Sequence, residues 1–247
     1  MPTTPMPDQE VERALVVTAH PDDVDFGSGG TIATWTDAGI EVTYCICTDG
    51  DAGGFDLEFP RDQIAGVRRA EQTEAAKRLG VHDVRFLGYR DGSLEPSLEL
   101  RRDISRVIRQ VKPQRILVQS PERDYERIGR SHPDHRAAGE AALNAVYPDA
   151  RNPFAHPELR VDEGLDAWSV PETWIMGAPH AAHLEGHYVD VTDAFDRKVA
   201  ALRAHESQTG HMENLEEFLR AWLKINAERA GWPEGRLAES FLVMNTA

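Results

Sequence analysis

Cysteine is almost absent from this chain of 247 residues, which contains only Cys45 and Cys47. Two cysteines at i, i+2 in an apolar run point to the same face of one strand, so the spacing excludes a disulfide framework and a CxxC redox pair. We interpret both as small residues of the core. Long apolar runs are also lacking: none approaches the roughly 18 residues of a membrane-spanning helix, so the sequence predicts no membrane span.

Basic residues are scarce relative to acidic ones. The chain has 27 lysine and arginine side chains against 42 aspartate and glutamate side chains, which gives a formal charge of -15. This excess of negative charge opposes binding to a phosphate backbone or an anionic membrane surface, so we expect no nucleic-acid partner. A composition of 40% hydrophobic and 28% charged residues is typical of soluble globular proteins.

The first twelve residues lack the apolar centre of a secretory signal. We therefore expect residues 1–12 to form a disordered lead-in and the protein to be cytoplasmic. Single hydrophobic cores stop growing near about 250–300 residues, so residues 13–247 are predicted to form one domain.

Strand-like and helical patterns alternate through the first half of the chain. Each helical pattern ends at a glycine or before a proline, as at Gly39, Gly80 and Pro113. The predicted strands are 13–18, 41–46, 84–87 and 115–118, and the predicted helices are 31–38, 63–79 and 98–111. This repetition predicts an α/β, Rossmann-like fold, in which a mostly parallel sheet carries helices on both faces.

The second half of the chain is less regular. A helical pattern is followed by a proline-rich loop, and strand and helix patterns then alternate without a repeat. The predicted elements are helices at 133–146, 192–205 and 212–230 and strands at 173–176 and 187–191. We interpret this irregular C-terminal part as packed on the same domain.

Two polar clusters follow predicted strands, at the position where an open parallel sheet binds its ligands. The first is AHPDD, from Ala19 to Asp23, and the second is SHPDH, from Ser131 to His135. Two neighbouring carboxylates are costly to bury unless positive charge accompanies them, and a divalent metal can supply it. His132 and His135 are three residues apart, so they project to the same side of a helical turn.

Together the clusters supply histidine and aspartate side chains that suit zinc, with three protein ligands and an open position for water. Because Asp22 and Asp23 are consecutive, one can bind metal while the other faces the bound water. Zinc lowers the pKa of its water to about 7, and a free carboxylate can accept the remaining proton. The pattern indicates metal-assisted hydrolysis. Taken singly, AHPDD also fits a helix start and the histidine pair also fits a helix surface.

A glycine cluster, Gly27-Ser28-Gly29-Gly30, offers a competing interpretation. A strand, glycines, a helix and Asp49 about twenty residues later imitate a dinucleotide-binding fingerprint. The third glycine of that fingerprint would fall on Ile32, and the aspartates within 22–25 stand where a pyrophosphate needs positive potential. A nucleotide-binding or dinucleotide-binding protein remains an alternative hypothesis, as does a metal-binding scaffold without catalytic activity.

Six segments of the chain carry a recognisable set of motifs. They are AHPDDVDFGSGGTIA (19–33), TDGDAGG (48–54), RRAEQTEAAKRLGV (68–81), YRDGSL (89–94), SHPDHRAAGEAA (131–142) and ALRAHESQ (201–208). In content and order they resemble the LmbE-like, or GlcNAc-phosphatidylinositol de-N-acetylase, family of metal-dependent amide hydrolases. That family includes the deacetylases of mycothiol and bacillithiol biosynthesis.

The resemblance implies a role for each residue of the two clusters. It makes three side chains the zinc ligands: His20, Asp23 and His135. Asp22 is then the general base, and His132 polarises the carbonyl oxygen or protonates the leaving amine while Asp134 orients its ring. In some members a tyrosine stands two residues before the first histidine of HPDH. Here Arg130 stands there, which leaves oxyanion stabilisation to zinc and His132.

The resemblance also implies one Zn²⁺ per subunit, or another divalent metal, and an N-acylated amino sugar or related small molecule as substrate, with a thiol conjugate as an alternative. Family members often assemble as trimers or hexamers, so a homo-oligomer is permitted. Arg68, in an R-x-x-E pattern with Glu71, lies where members hold structure and contact substrate. A salt bridge on the helix surface is the other interpretation of Arg68.

Positive charge is concentrated ahead of the second cluster. Between Arg101 and Arg136 there are ten basic and five acidic residues. Because this stretch leads into HPDH, we expect the small-molecule substrate to carry an anionic group. Arg68 and Arg130 are the predicted substrate-binding residues.

Seven further histidines stand outside the two clusters, and four of them call for an interpretation. His205, in ALRAHESQ, is not at a ligand position, and we expect a structural or subunit-contact role for it. His180, His183 and His187 lack an accompanying carboxylate motif. We interpret them as part of a solvated or substrate-proximal loop and not as a second metal site.

Overall fold

The computed structural model describes residues 4–54, 56, 58–177 and 186–247. Within these residues, seven strands form one sheet: β1 (Arg13–Thr18), β2 (Glu41–Thr48), β3 (Asp83–Tyr89), β4 (Arg115–Gln119), β5 (Glu172–Met176), β6 (His187–Asp190) and β7 (Ala238–Asn245). Their order across the sheet is β3-β2-β1-β4-β5-β7-β6. Strands β1 to β5 are parallel, and β7 is antiparallel to β5 and β6. The predicted α/β fold with a mostly parallel sheet is confirmed.

Helices cover both faces of this sheet. They are α1 (Asp23–Asp37), α2 (Arg61–Arg78), α3 (Leu98–Val111), α4 (Pro133–Asn144), α5 (Pro157–Val161), α6 (Phe195–Arg203), α7 (Glu206–Thr209) and α8 (Leu215–Arg229). Val16 of β1 shares a core cluster with Ile32 of α1, whereas Val17 shares another with Ile104 of α3. Since successive strand side chains point to opposite faces, these clusters are the two sides of the sheet. Both cysteines are free and buried in the second cluster, as predicted.

The order of the strands creates a crevice beside β1. From β1 the chain moves outward to β2 and β3, then crosses to β4 on the other side of β1 and continues to β5. Ligands of open α/β sheets bind at such a change of direction, outside the carboxyl ends of the strands. AHPDD follows β1, and SHPDH lies between β4 and the first turn of α4. The fold therefore brings both predicted clusters to this crevice.

Helix α1 begins at Asp23, so the start predicted at Thr31 is wrong. The helix contains the glycine cluster, and a buried ion pair forms hydrogen bonds with its backbone there. The N–H groups of Gly30 and Thr31 donate to the Glu239 carboxylate at 3.0 and 2.7 Å, and the Lys198 ammonium donates to the same carboxylate at 2.6 Å. Glycines weaken a helical pattern in the sequence, which is why the early start was not predicted.

The glycine cluster serves the packing of α1. A Cβ atom at Gly30 would overlap the side chain of Val191, and one at Gly29 would contact Lys198. The Gly30 amide is already bound to a carboxylate, which would repel a pyrophosphate. These contacts oppose the dinucleotide-binding hypothesis.

The C-terminal part of the chain packs on the same sheet but differs from the prediction. The sequence predicts no strand beyond residue 230, yet β7 lies between β5 and β6. Glu239 of β7 is buried in the ion pair with Lys198. This charged residue therefore does not indicate a solvent-exposed face of the strand. Helix α5 also lies outside the predicted elements. The proline-rich loop thus contains structure that hydrophobic periodicity does not reveal.

The segment expected to be a disordered lead-in makes defined contacts in its second half. The Met6 N–H donates to Glu172 at 2.6 Å, and Asp8 pairs with the buried guanidinium of Arg115 at 2.7 Å. Residues Asp8–Glu10 form a short 3-10 turn. Among the residues that the structure describes, no helix is both long enough and apolar enough to cross a membrane.

The packing of α4 against β4 depends on a glycine, and this can be tested. A Cβ atom at Gly139 would overlap the backbone carbonyl of Gln119, whereas one at Gly66 in α2 meets nothing within 4 Å. We expect Gly139→Ala to destabilise the protein by about 1–3 kcal/mol through overpacking. Gly66→Ala should stabilise it by about 0.5–1 kcal/mol. Urea unfolding of both variants measures this, and equal midpoints would contradict the close approach of α4.

Candidate active site

Three predicted ligands from the two clusters lie together at the crevice. His20 follows β1, Asp23 opens α1, and His135 is in the first turn of α4. His20 Nδ1 is 3.3 Å from Asp23 Oδ2, His135 Nε2 is 3.0 Å from Asp23 Oδ1, and the two ring nitrogens are 3.2 Å apart. Two strand ends distant in sequence thus supply one group of donor atoms.

This group fits a divalent metal. Zinc bonds of about 2.0–2.2 Å in tetrahedral geometry separate neighbouring ligand atoms by roughly 3.3–3.5 Å. The three observed separations, 3.0 to 3.3 Å, lie close to that range. A set of two imidazoles and one carboxylate also leaves a fourth position for water. His132 lies beside the group, and one nitrogen each of His20, His132 and His135 fall within 4.8 Å of one another.

The electrostatics of the group favour a positive charge at its centre. Burial lowers the pKa of His20, but the charge of Asp23 and hydrogen bonds with Asp134, Asp23 and Asp91 outweigh it and raise the pKa to about 12. Burial raises the pKa of Asp23, yet the charges of His135 and His20 hold it well below its usual range. These buried carboxylates are therefore stabilised by a positive charge beside them, which a protonated histidine or a divalent metal can supply.

Asp22 lies next to the ligand group in the sequence and is not one of the three ligands. Its backbone is in the left-handed region, with φ at 87°. Its Oδ2 accepts a hydrogen bond from Arg68 at 3.1 Å. Burial raises the pKa of Asp22, the positive charge of Arg68 opposes this, and the result is about 7. A carboxyl group with this pKa can exchange a proton near neutrality.

His132 caps the N-terminus of α4. Its Nδ1 accepts the backbone N–H of Asp134 at 3.2 Å, so the hydrogen bonding assigns the proton of the neutral ring to Nε2. Burial and the neighbouring charges of His20 and His135 lower the pKa of His132. The side chain is thus held as a neutral hydrogen-bond donor, with its ring 4.8 Å from that of His20.

The Asp134 carboxylate does not hold the His132 ring, which corrects the predicted role. It lies 3.2 Å from His20 Nε2 and accepts the backbone N–H groups of Gly92 at 2.7 Å and Leu94 at 3.2 Å. Asp134 therefore orients His20, and only its backbone orients His132. A carboxylate on the far nitrogen of a metal-binding imidazole fixes the tautomer and leaves the near nitrogen, Nδ1, for the metal.

Sequence reasoning missed Asp91. This residue follows β3 in the YRDGSL segment, and its Oδ1 is 3.1 Å from His20 Nε2. Together with Asp134 it encloses the far side of the His20 ring. The position after a parallel strand was the signal that could have found it.

Arg68 is buried, so the surface salt bridge considered for it is wrong. It donates to the backbone carbonyl of Pro21 and to the Asp22 carboxylate, and it thereby holds the first cluster. Its neighbour Glu71 binds Ser207 instead. Arg130 lies exposed in the 3-10 turn that leads into SHPDH, at the rim of the crevice.

The other histidines divide between the interior and the sheet edge. His205 is fully buried, with Nε2 2.8 Å from Asp25 Oδ2, so it faces the interior and not a subunit surface. His187 begins β6, where its ring packs edge-on against Trp174 at 4.9 Å. His180 and His183 lie outside the described residues.

Comparison with known proteins agrees with this geometry. A family model described as GlcNAc-PI de-N-acetylase (PIG-L) matches residues 15–146. The chain is 35% identical to the diacetylchitobiose deacetylase of Thermococcus kodakarensis, covering 94% of this chain and 83% of that protein. It is 34% identical to a probable N-acetyl-alpha-D-glucosaminyl L-malate deacetylase 2 of Bacillus cereus, covering 86% and 94%.

A solved structure extends the comparison to the fold. The N,N'-diacetylchitobiose deacetylase from Pyrococcus horikoshii, complexed with its inhibitor MPG, superimposes with a TM-score of 0.85 at 33% identity, covering 97% of this chain and 86% of that chain. The motifs, the position of the site at the strand ends and these similarities all indicate the same family. The chain belongs to the PIG-L, or GlcNAc-PI de-N-acetylase, family.

Proposed function

We propose that the protein is a zinc-dependent hydrolase that removes the acetyl group from the nitrogen of an N-acetylglucosamine-containing small molecule. The observation that carries this proposal is the convergence of His20, Asp23 and His135 within 3.3 Å, beside the separate carboxylate of Asp22. The names of the two relatives, one acting on diacetylchitobiose and one on an N-acetylglucosaminyl malate, support the class of substrate.

His20, Asp23 and His135 would hold the metal. Zinc supplies Lewis acidity toward a carbonyl and lowers the pKa of a water molecule. Asp22, whose pKa is raised to about 7, accepts the proton of the attacking water as the new C–O bond forms. Arg68 keeps the Asp22 carboxylate oriented through its 3.1 Å contact.

His132 acts on the oxygen of the substrate amide. As a neutral donor it presents Nε2–H to the negative charge that develops on this oxygen. The proton held by Asp22 then passes to the amide nitrogen as the C–N bond breaks. Water and the amide are thus converted to a free amine and acetic acid, which releases its proton to solvent to give acetate.

Arg68 and Arg130 take different parts in substrate binding. Arg68 faces the first cluster and can reach the substrate only beside Asp22. Arg130 is exposed at the rim, where it is proposed to bind an anionic group carried by the substrate.

Metal removal tests the proposed ligand set. Dialysis against a chelator should abolish hydrolysis of diacetylchitobiose, and added Zn²⁺ should restore it. His135→Ala should bind less than a tenth of the zinc bound by the wild type, because it removes one of three ligands. His82→Ala, at an exposed position before β3, is the matched control and should keep full zinc content by atomic emission. Full activity in the metal-free protein would overturn the proposal.

Substitution of the proposed base separates catalysis from metal binding. Asp22→Asn should lower kcat by about 10²–10⁴-fold, since an amide cannot accept the proton of water. Zinc content should stay at one per chain, because Asp22 is not a ligand. Asp166→Asn, on an exposed side chain, is the control and should keep wild-type kcat. Loss of zinc from Asp22→Asn would contradict this assignment and indicate that Asp22 binds the metal and Asp23 acts as the base.

Charge removal at the rim tests Arg130. Arg130→Gln should raise KM about three- to tenfold for a substrate with a carboxylate aglycone, such as N-acetylglucosaminyl malate, and leave KM for neutral diacetylchitobiose unchanged. The exposed Arg160 in α5 provides the matched control, Arg160→Gln. Equal KM values for the anionic substrate in both variants would show that Arg130 has no part in binding it.

A further inference from the structure

The segment His205–Gln208 contacts the start of α1, although the proposed mechanism gives it no task. It begins at the α6–α7 junction, continues into α7 and corresponds to the motif HESQ. His205 Nε2 lies 2.8 Å from Asp25 Oδ2, and Asp25 is in the first turn of α1, for which Asp22 is the N-cap residue. A residue near the end of the chain therefore touches the helix turn that carries the first cluster.

Gln72 of α2 continues this contact to Asp22. Its Nε2 donates to Asp25 Oδ2 at 2.9 Å, and its Oε1 accepts the backbone N–H of Asp22 at 2.8 Å. The hydrogen bonds form one chain, from the Asp22 amide through Gln72 to Asp25, where His205 adds a second donor. Three parts of the sequence contribute to it: the start of α1, α2 and the α6–α7 junction.

The polarity of this chain is fixed. A backbone N–H can only donate, so the Gln72 oxygen faces the Asp22 N–H and the Gln72 amino group faces Asp25 Oδ2, which His205 Nε2 also contacts. This fixes the orientation of the Gln72 amide and directs its oxygen at the Asp22 N–H. Asp25, Gln72 and His205 are each fully buried. Away from water, a reversed amide would leave unpaired donors and acceptors at high cost.

The backbone held in this way is strained. Asp22 has φ at 87°, a left-handed conformation that is unfavourable for a residue with a side chain. The Asp22 carboxylate contacts Arg68, whereas the Asp23 carboxylate contacts His20 and His135. A hydrogen bond on the Asp22 N–H restrains this backbone conformation directly.

We propose that His205, Asp25 and Gln72 are positioning residues that hold the strained backbone of Asp22, and with it the carboxylate that acts as base. This inference rests on the proposed function, because it assigns the three residues an effect on turnover through Asp22. It predicts that the network changes kcat while metal binding and substrate affinity stay constant.

The test uses Gln72→Met, which keeps the shape of the side chain and removes both hydrogen bonds. In the zinc-loaded enzyme kcat should fall about 10–100-fold, with KM and zinc content within twofold of the wild type. His205→Leu should behave in the same way, while His205→Gln retains a donor and should recover most of the activity. Asn226→Ala removes a buried hydrogen bond in α8 and serves as the control, with reduced Tm and unchanged kcat.

A double-mutant cycle distinguishes positioning from general destabilisation. In the Asp22→Asn background, Gln72→Met should lower the remaining kcat less than twofold, because it acts through a carboxylate that is already gone. An equal loss in both backgrounds would overturn the proposal.

Amide hydrogen exchange gives a readout that does not depend on activity. The Asp22 amide should exchange at least tenfold faster in Gln72→Met than in the wild type, with and without metal. If the wild-type protein hydrolyses no N-acetylated amino sugar, the proposed function fails while this exchange measurement still stands. If the wild type is active but Gln72→Met changes neither kcat nor exchange at Asp22, the positioning role alone is refuted.

Discussion

Burial of several carboxylates around one imidazole is the constraint on which the structure depends. His20 has Asp23 at one ring nitrogen and both Asp91 and Asp134 at the other, all within 3.3 Å. In the interior such a group is stable only with compensating positive charge. Helices α1 and α4 both begin at this point, so their N-terminal dipoles contribute part of it. A divalent cation between His20, Asp23 and His135 supplies the remainder in our account.

The rest of the fold holds that group in place from behind. Helix α1 is fixed at its middle by the buried pair of Lys198 and Glu239, contributed by α6 and β7. Its first turn is fixed by Asp25, which binds side chains from α2 and the α6–α7 junction. Buried ion pairs contribute little net stability because desolvation offsets their attraction. Here they define the position of one helix end relative to the sheet, which is what a metal site with a separate base requires.

Much of the site was predictable from the sequence because it is local. AHPDD and SHPDH each place several functional groups within five residues, and alternating strands and helices bring parallel strand ends together. The predictions that failed depend on contacts between residues far apart in the sequence. The start of α1 was missed because glycines weaken its helical pattern, and the buried pair that binds the middle of the helix comes from distant elements. Asp134 was assigned to His132, its neighbour in sequence, whereas its carboxylate binds His20 across the crevice. The partner of His205 lies in α1, at the other end of the chain, and no spacing rule connects the two.

The position of the bound metal tests the central claim most directly. A crystal structure of the zinc-loaded protein, with anomalous data collected across the zinc absorption edge, would locate it. Our account predicts one peak bonded to His20 Nδ1, Asp23 and His135 Nε2 at about 2.0–2.2 Å, with the Asp22 carboxylate outside the ligand set. The structure also brings His20, Asp91 and Asp134 within 4.8 Å of one another. A peak in that second group, or a peak bonded to Asp22, would contradict the account.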